Sequence, residues 1–193
     1  MSPANSQPQP GHFPKPGQPR PDDAALQRIE MLLLDVDGVL TDGRVHFDHE
    51  GREYKSFHVH DASGIIYWHR SGGRSGFLSG RGGDIVRNRA EELGVHEVML
   101  GRIDKADAFA EMLARTNLTP ERVAYVGDDL LDLPVLTQVG FAATVPQARR
   151  EVLAQSHYVS ERSAGFGAVR DVVEELLRAR GVWQSVVAKD GRP

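Results

Sequence analysis

Residues 31–41 read Met31-Leu32-Leu33-Leu34-Asp35-Val36-Asp37-Gly38-Val39-Leu40-Thr41. An unbroken apolar run such as 31–34 suits a strand covered on both faces, as in the middle of a parallel α/β sheet. The run ends in two aspartates that flank one valine, with glycine next. Ligands of open α/β sheets bind outside the carboxyl ends of the strands, so this loop is the first place to look for chemistry. In a strict strand the two carboxylates would face opposite ways. They converge only if the chain turns at once, and Gly38 permits that turn.

The same grammar continues outward. Residues 74–78, 96–100, 123–126 and 141–144 are further core strands, and Tyr158-Val159 is a candidate edge strand. Between them, amphipathic stretches predict helices over 63–70, 84–93, 104–116 and 132–139, a short one after Pro146, and a last one over 168–180. Asp84 and Asp104 are expected as N-caps, and Gly94 as a stop. Residues 44–47 and 53–59 flank Asp48-His49-Glu50-Gly51, which predicts a β-hairpin. Alternating β and α units imply a parallel sheet covered by helices on both faces.

Composition bounds the rest. The 193 residues carry 23 Lys and Arg against 27 Asp and Glu, a net charge of −4. That balance argues against a dedicated nucleic-acid binder. With 0 Cys there are no disulfides, thiolate metal sites or cysteine nucleophiles. No apolar run is long enough to span a membrane. Residues 1–21 hold 7 of the 11 prolines and are expected to form a disordered tail. The folded domain is expected over 22–182, with a C-terminal tail over 183–193.

The strand ends share a chemistry. Asp35 and Asp37 follow the first core strand. Ser79, Gly80 and Arg81 follow the second, Lys105 lies just beyond the third, and Gly127, Asp128, Asp129 and Asp132 follow the fourth. Crowded carboxylates resist ionisation unless a cation lies among them. Hard oxygen ligands suit Mg²⁺ better than Zn²⁺. Ser79 and Lys105 supply donors for a phosphoryl group. The set points to phosphoryl transfer with an aspartate nucleophile.

Asp35-Val36-Asp37-Gly38-Val39-Leu40-Thr41, Leu78-Ser79-Gly80-Arg81, Lys105 and Gly127-Asp128-Asp129-Leu130-Leu131-Asp132 resemble the four motifs of the haloacid dehalogenase superfamily. Asp35 through Gly43, Phe57-His58-Val59-His60-Asp61 with Gly64-Ile65, Val123 through Asp132, and Gly167-Ala168-Val169-Arg170 are similar to the 3-deoxy-D-manno-octulosonate-8-phosphate phosphatases. That similarity extends over residues 28–182. The resemblance implies a Rossmann-like domain with a small β-hairpin flap and no large cap domain. It also implies a cytoplasmic homotetramer in lipopolysaccharide precursor biosynthesis, with no nucleic-acid or membrane partner.

The resemblance further assigns roles. Asp35 would be the nucleophile and Asp37 the general acid and base. Mg²⁺ would be held by Asp35, Asp37 (through its carbonyl) and Asp128, with Asp129 and Asp132 behind. Ser79, Gly80 and Lys105 would bind phosphate. Asp37, His58, Val59, His60, Asp61, Ala62, Arg81, Arg89 and Lys105 would bind the sugar acid. His60, Ile66 and Phe166 stand where the family usually has arginine, which implies a less cationic pocket. Three alternatives remain open at this stage, a phosphatase for a nine-carbon sugar acid 9-phosphate, a non-catalytic tetramerising module and a broad phosphatase acting on several small phosphates.

Overall fold

The computed structural model describes residues 14–190. Among these residues eight short strands and eight α-helices follow one another. The strands are β1 (Met31–Leu34), β2 (His46–Phe47), β3 (Glu53–Tyr54), β4 (Arg74–Ser79), β5 (Glu97–Leu100), β6 (Val123–Val126), β7 (Phe141–Thr144) and β8 (Tyr158–Val159). The helices are α1 (Asp23–Gln27), α2 (Val59–Arg70), α3 (Asp84–Glu92), α4 (Lys105–Thr116), α5 (Leu133–Leu136), α6 (Arg150–Gln155), α7 (Ala168–Ala179) and α8 (Trp183–Asp190).

Six strands form one parallel sheet in the order β5-β4-β1-β6-β7-β8, and β2 pairs with β3 in a separate antiparallel hairpin. This is a Rossmann-like sheet core with a small hairpin and, among the described residues, no large cap domain. The chain builds outward from β1 through β4 to β5, then crosses back to β6 on β1's other side. The switch point therefore lies between β1 and β6, where a crevice opens at the strands' carboxyl ends.

Burial explains why these segments form the elements they do. All four residues of β1 are buried, because helices cover both faces. On one face lies a cluster with Leu32, Leu34, Val126 and Phe77, onto which α7 lays Val169, Val172, Val173, Leu176 and Leu177. On the other face Met31, Leu33 and Tyr125 meet Phe109 and Met112 of α4. Each such side chain contributes about 1.5–3 kcal/mol when fully buried. Asp104 caps α4 by accepting from the Asp107 N–H at 3.0 Å, and Asn117 ends it in the left-handed region at φ 53°.

Several boundaries differ from expectation. The hairpin is shorter than residues 44–59, since ladder pairing covers only His46 with Tyr54 and Phe47 with Glu53. The second helix starts at Val59 rather than 63, with His58 as N-cap. Gly83, not Asp84, is the N-cap of α3. The stretch 132–139 contains only one short α-helix, because Asp129 nucleates a 3₁₀ turn over Leu130–Asp132 first. Residues 183–190 form a helix where a tail was expected, with the guanidiniums of Arg170 and Arg178 5.3 and 5.0 Å from the Trp183 ring. Of the expected N-terminal tail, residues 1–13 lie outside the described residues. Gly17 and Gln18 hydrogen-bond through their backbone N–H groups to Leu153 and Ser156 carbonyls. Among the described residues no helix is long and apolar enough to cross a membrane.

Candidate active site

Asp35 leaves β1 directly, its backbone N–H bonded to the Val126 carbonyl at 2.9 Å, so the first acidic loop is stitched to the end of β6. The turn expected at Gly38 is present, with φ +94°. Glycine is needed here for a second reason. A Cβ at this position would stand 2.3 Å from Asp128 Oδ2, so the carboxylate of the β6 loop lies directly against the β1 loop. Thr41, buried below, accepts from the Gly38 N–H at 3.4 Å and the Gly43 N–H at 3.3 Å.

Asp132 holds the β6 loop in shape. It is fully buried, and one oxygen accepts the backbone N–H groups of Asp128 at 2.8 Å and Asp129 at 3.0 Å. Its other oxygen accepts from Lys105 Nζ and the Tyr125 hydroxyl, both at 2.5 Å. Lys105 is the first residue of α4 and is itself buried. It also stands 3.1 Å from Asp35 Oδ1 and 3.2 Å from Tyr125 Oη. Tyr125, hidden within the β6 apolar run, was not singled out from sequence. Only its neighbours in space explain a hydroxyl there.

The electrostatics follow from this packing. Burial pushes the Asp35 carboxyl up to about 7, against the pull of Lys105 and with the charge of Asp132 adding to the rise. Burial, and then the charges of Asp35, Asp132 and Asp129, push Asp128 up to about 8. Burial opposes the charge on Lys105, yet Asp35 and Asp132 outweigh it and raise its pKa above the usual lysine value. Two facing carboxyls thus resist ionising together, the situation a bound cation relieves.

The donor set fits such a cation. Oxygens of Asp35, Asp128 and Asp132 all lie within 4.8 Å of one another. Asp128 Oδ1 is buried and has no hydrogen-bond partner, and a buried acceptor of that kind is costly unless paired. Both oxygens of Asp132, in contrast, are taken by four donors. Asp128 therefore offers the unpartnered oxygen, and Asp35 faces it although its Oδ1 already accepts the Val36 N–H at 2.7 Å; carboxylate oxygens alone suit a hard divalent ion. No histidine enters a cluster of three ligating groups among the described residues.

The other residues singled out from sequence fall into two groups. Ser79 ends β4, is buried, and its Oγ accepts the Arg81 N–H at 3.2 Å, which folds the Gly80 turn. Asp37 lies under a cationic lid, in contact with Lys55 Nζ and 3.6 Å from Arg81 Nε, while Glu53 of the hairpin takes Arg81 Nη2 at 3.0 Å. Lys55 was not anticipated, because 18 residues and the hairpin separate it from Asp37.

The second group faces elsewhere within one chain. His58 and His60 line a cleft with Arg162, Phe166 and Arg170. Asp61 is buried and caps α7, accepting the N–H groups of Gly167 at 3.2 Å and Arg170 at 3.0 Å. Val59 is exposed, and Ala62 packs toward Phe57. Arg89 pairs with Glu92 at 2.7 Å and lies 5.5 Å over the Phe57 ring. Asp129 points outward, 3.7 Å from Arg149. A cleft of about 440 Å³ does open over Asp128, and besides Gly38 it is lined by Arg44, Gln147, Arg149, Ser163 and Phe166.

Comparison with known proteins gives concordant results. A family model described as haloacid dehalogenase-like hydrolase matches residues 80–172. A 3-deoxy-D-manno-octulosonate 8-phosphate phosphatase of Yersinia pestis is 39% identical over 161 residues, covering 82% of this chain and 86% of the relative. The crystal structure of the phosphatase of that name from Moraxella catarrhalis is in complex with magnesium, phosphate and a KDO molecule. It superposes with a TM-score of 0.84 at 33% identity, over 86% of this chain and 96% of that one. The cobalt-bound form of the Haemophilus influenzae phosphatase gives a TM-score of 0.79 at 36% identity, over 82% of this chain and 93% of that one.

Proposed function

Because the chain belongs to the 3-deoxy-D-manno-octulosonate 8-phosphate phosphatase family of haloacid dehalogenase-like hydrolases, we propose that it is a Mg²⁺-dependent phosphatase of that sugar acid phosphate, acting in lipopolysaccharide precursor synthesis. The observation that carries the reading is the meeting of Asp35, Asp128 and Lys105 at the sheet's switch point, with an unpartnered oxygen on Asp128.

Asp35 attacks phosphorus, forming a carboxyl O–P bond as the bond from phosphorus to the sugar oxygen breaks. Asp37 gives its proton to that departing oxygen, a contribution of about 10²–10⁴-fold for a positioned acid. In the second half Asp37 takes a proton from water, whose oxygen attacks the phosphorus of the aspartyl-phosphate. Inorganic phosphate leaves and Asp35 is restored. Lys105 and Ser79 orient the phosphoryl oxygens, and Lys105 offsets part of the rise that burial imposes on the Asp35 carboxyl. Asp35, Asp128 and the backbone carbonyl of Asp37 would hold Mg²⁺. When bound, the ion supplies positive charge for the phosphoryl oxygens.

The reading also takes the protein to be a cytoplasmic homotetramer. Support comes from the hairpin region, where Val45, Phe47 and Tyr54 are exposed, together with Val59 at 72% exposure. His58, His60 and Arg89 lie outside the cleft over Asp128, and a neighbouring copy gives them a route to a sugar. Phosphate release from eight- and nine-carbon sugar acid phosphates, with Mg²⁺ or with EDTA, tests the proposal. Mg²⁺-dependent turnover with preference for the eight-carbon substrate is expected. Preference for the nine-carbon ester would reassign the substrate, and no release from either would refute the reading.

A further inference from the structure

The cleft over Asp128 has a rim that the phosphoryl chemistry leaves unused. Its volume of about 440 Å³ is in the range of small-molecule sites. Two guanidiniums stand on that rim. Arg44 Nη1 is 3.6 Å from Asp42 Oδ2, and Arg149 Nε is 3.7 Å from Asp129 Oδ1, with side chains 65% and 71% exposed. Exposed pairs at such separations hold each other weakly, so both heads are available to a ligand.

Arg149 is distinguished by its backbone. Its N–H donates to the Asp128 carbonyl at 3.0 Å, which ties its Cα to the loop that carries the proposed metal ligand while the guanidinium keeps only its exposed pairing with Asp129. The wall beside it is fixed as well. Gln147 donates to Ser163 Oγ at 2.8 Å and accepts from the Ala164 N–H at 3.3 Å. The rim is thus a held frame that presents an exposed, planar fork.

An octulosonate 8-phosphate carries an anionic group at each end, the phosphoryl ester and the carboxylate. In the proposed mechanism the first goes to Lys105 and Ser79, both buried. The second calls for a donor that can take two oxygens at once, at the mouth of the same cleft. We propose that Arg149 is a specificity-determining residue that receives the carboxylate of the sugar acid, with Arg44 as a second donor on the rim. This rests on the octulosonate reading above.

The test compares wild type, Arg149→Ala and Arg149→Lys on octulosonate 8-phosphate and on p-nitrophenyl phosphate, an ester without a carboxylate, at saturating Mg²⁺. For Arg149→Ala, KM for the sugar acid phosphate rises about 10- to 100-fold, the scale of one lost charge-assisted hydrogen-bonded contact. The kcat stays within about twofold, KM for p-nitrophenyl phosphate is unchanged, and the thermal midpoint is retained, because the substitution leaves the backbone bond intact. Lysine recovers only part of the loss, as a point charge lacks the fork. Unchanged KM on the sugar acid, or equal losses on both esters, overturns the assignment of Arg149 alone. No turnover of octulosonate 8-phosphate by wild type overturns it together with the reading on which it rests.

Discussion

Removing the buried ammonium by Lys105→Met is the perturbation whose size follows most directly from the packing. Its Nζ lies 2.5 Å from Asp132 and 3.1 Å from Asp35, and the side chain is 2% exposed. Methionine fills the same space with no charge, so two carboxyls are left without their cation. Truncating one partner of a buried ion pair costs about 3–5 kcal/mol. For a chain of this length each kcal/mol moves the thermal midpoint by roughly 2–4 °C, so the loss is about 6–20 °C. The variant is compared with wild type by thermal and urea unfolding in EDTA, which removes any contribution from a bound ion.

A second substitution sharpens the reasoning. Lys105→Met/Asp132→Asn removes one of the stranded charges, while the amide oxygen still accepts the Asp128 and Asp129 N–H groups. It should regain stability over the single variant yet remain inactive, because Asp35 loses the main influence that lowers its pKa. A Lys105→Met protein within about 1 kcal/mol of wild type would show that the network does not hold the loop. A double variant less stable than the single one would show that stranded charge is not the cause.

Other outcomes follow from the same packing. Gly38→Ala should lose at least about 100-fold in phosphatase activity, since its Cβ meets Asp128 Oδ2 at 2.3 Å and its φ is +94°. Steady-state kinetics within tenfold of wild type would refute the close approach. Adding Mg²⁺ at about 100 times its Kd should raise stability by about 2.7 kcal/mol, seen as a rise in thermal midpoint that Asp128→Asn abolishes. Burial lowers the pKa of His157 below its usual 6.5, and its Nδ1 accepts the Ala142 N–H at 2.9 Å. Its contribution is therefore complete above pH 6.5 and is lost as pH falls through the lower folded value. The thermal midpoint of His157→Gln should depend less on pH than that of wild type between pH 7.5 and 5, and equal slopes would count against this.

The parallel sheet and its acidic crevice were legible because they rest on local signals. β1 is apolar without interruption, and an aspartate closes it. The β6 strand and its Gly127-Asp128-Asp129 loop repeat that pattern. Less legible was whatever depends on distant chain segments meeting. Tyr125 looked like one more core residue, although its hydroxyl completes the Asp132 network. Lys55 reaches Asp37 only because the hairpin folds over it. Arg44, Gln147 and Arg149 come from separate loops with no common spacing, so nothing marked them as one rim. His58 lacks the usual look of an N-cap, so nothing in the sequence marks the start of α2 at Val59. In the C-terminal segment the helix is short, and its apolar Trp183 needs the arginines of α7 as partners.

Calorimetric titration of Mg²⁺ into wild type, Asp35→Asn and Asp128→Asn, with phosphate release measured on the same samples, tests most directly whether these two side chains share one ion. Wild type should bind a single ion per chain, each variant should bind it far more weakly, and turnover should follow occupancy in wild type and vanish in Asp35→Asn. Undiminished binding in both variants, or undiminished turnover in Asp35→Asn, would contradict the account.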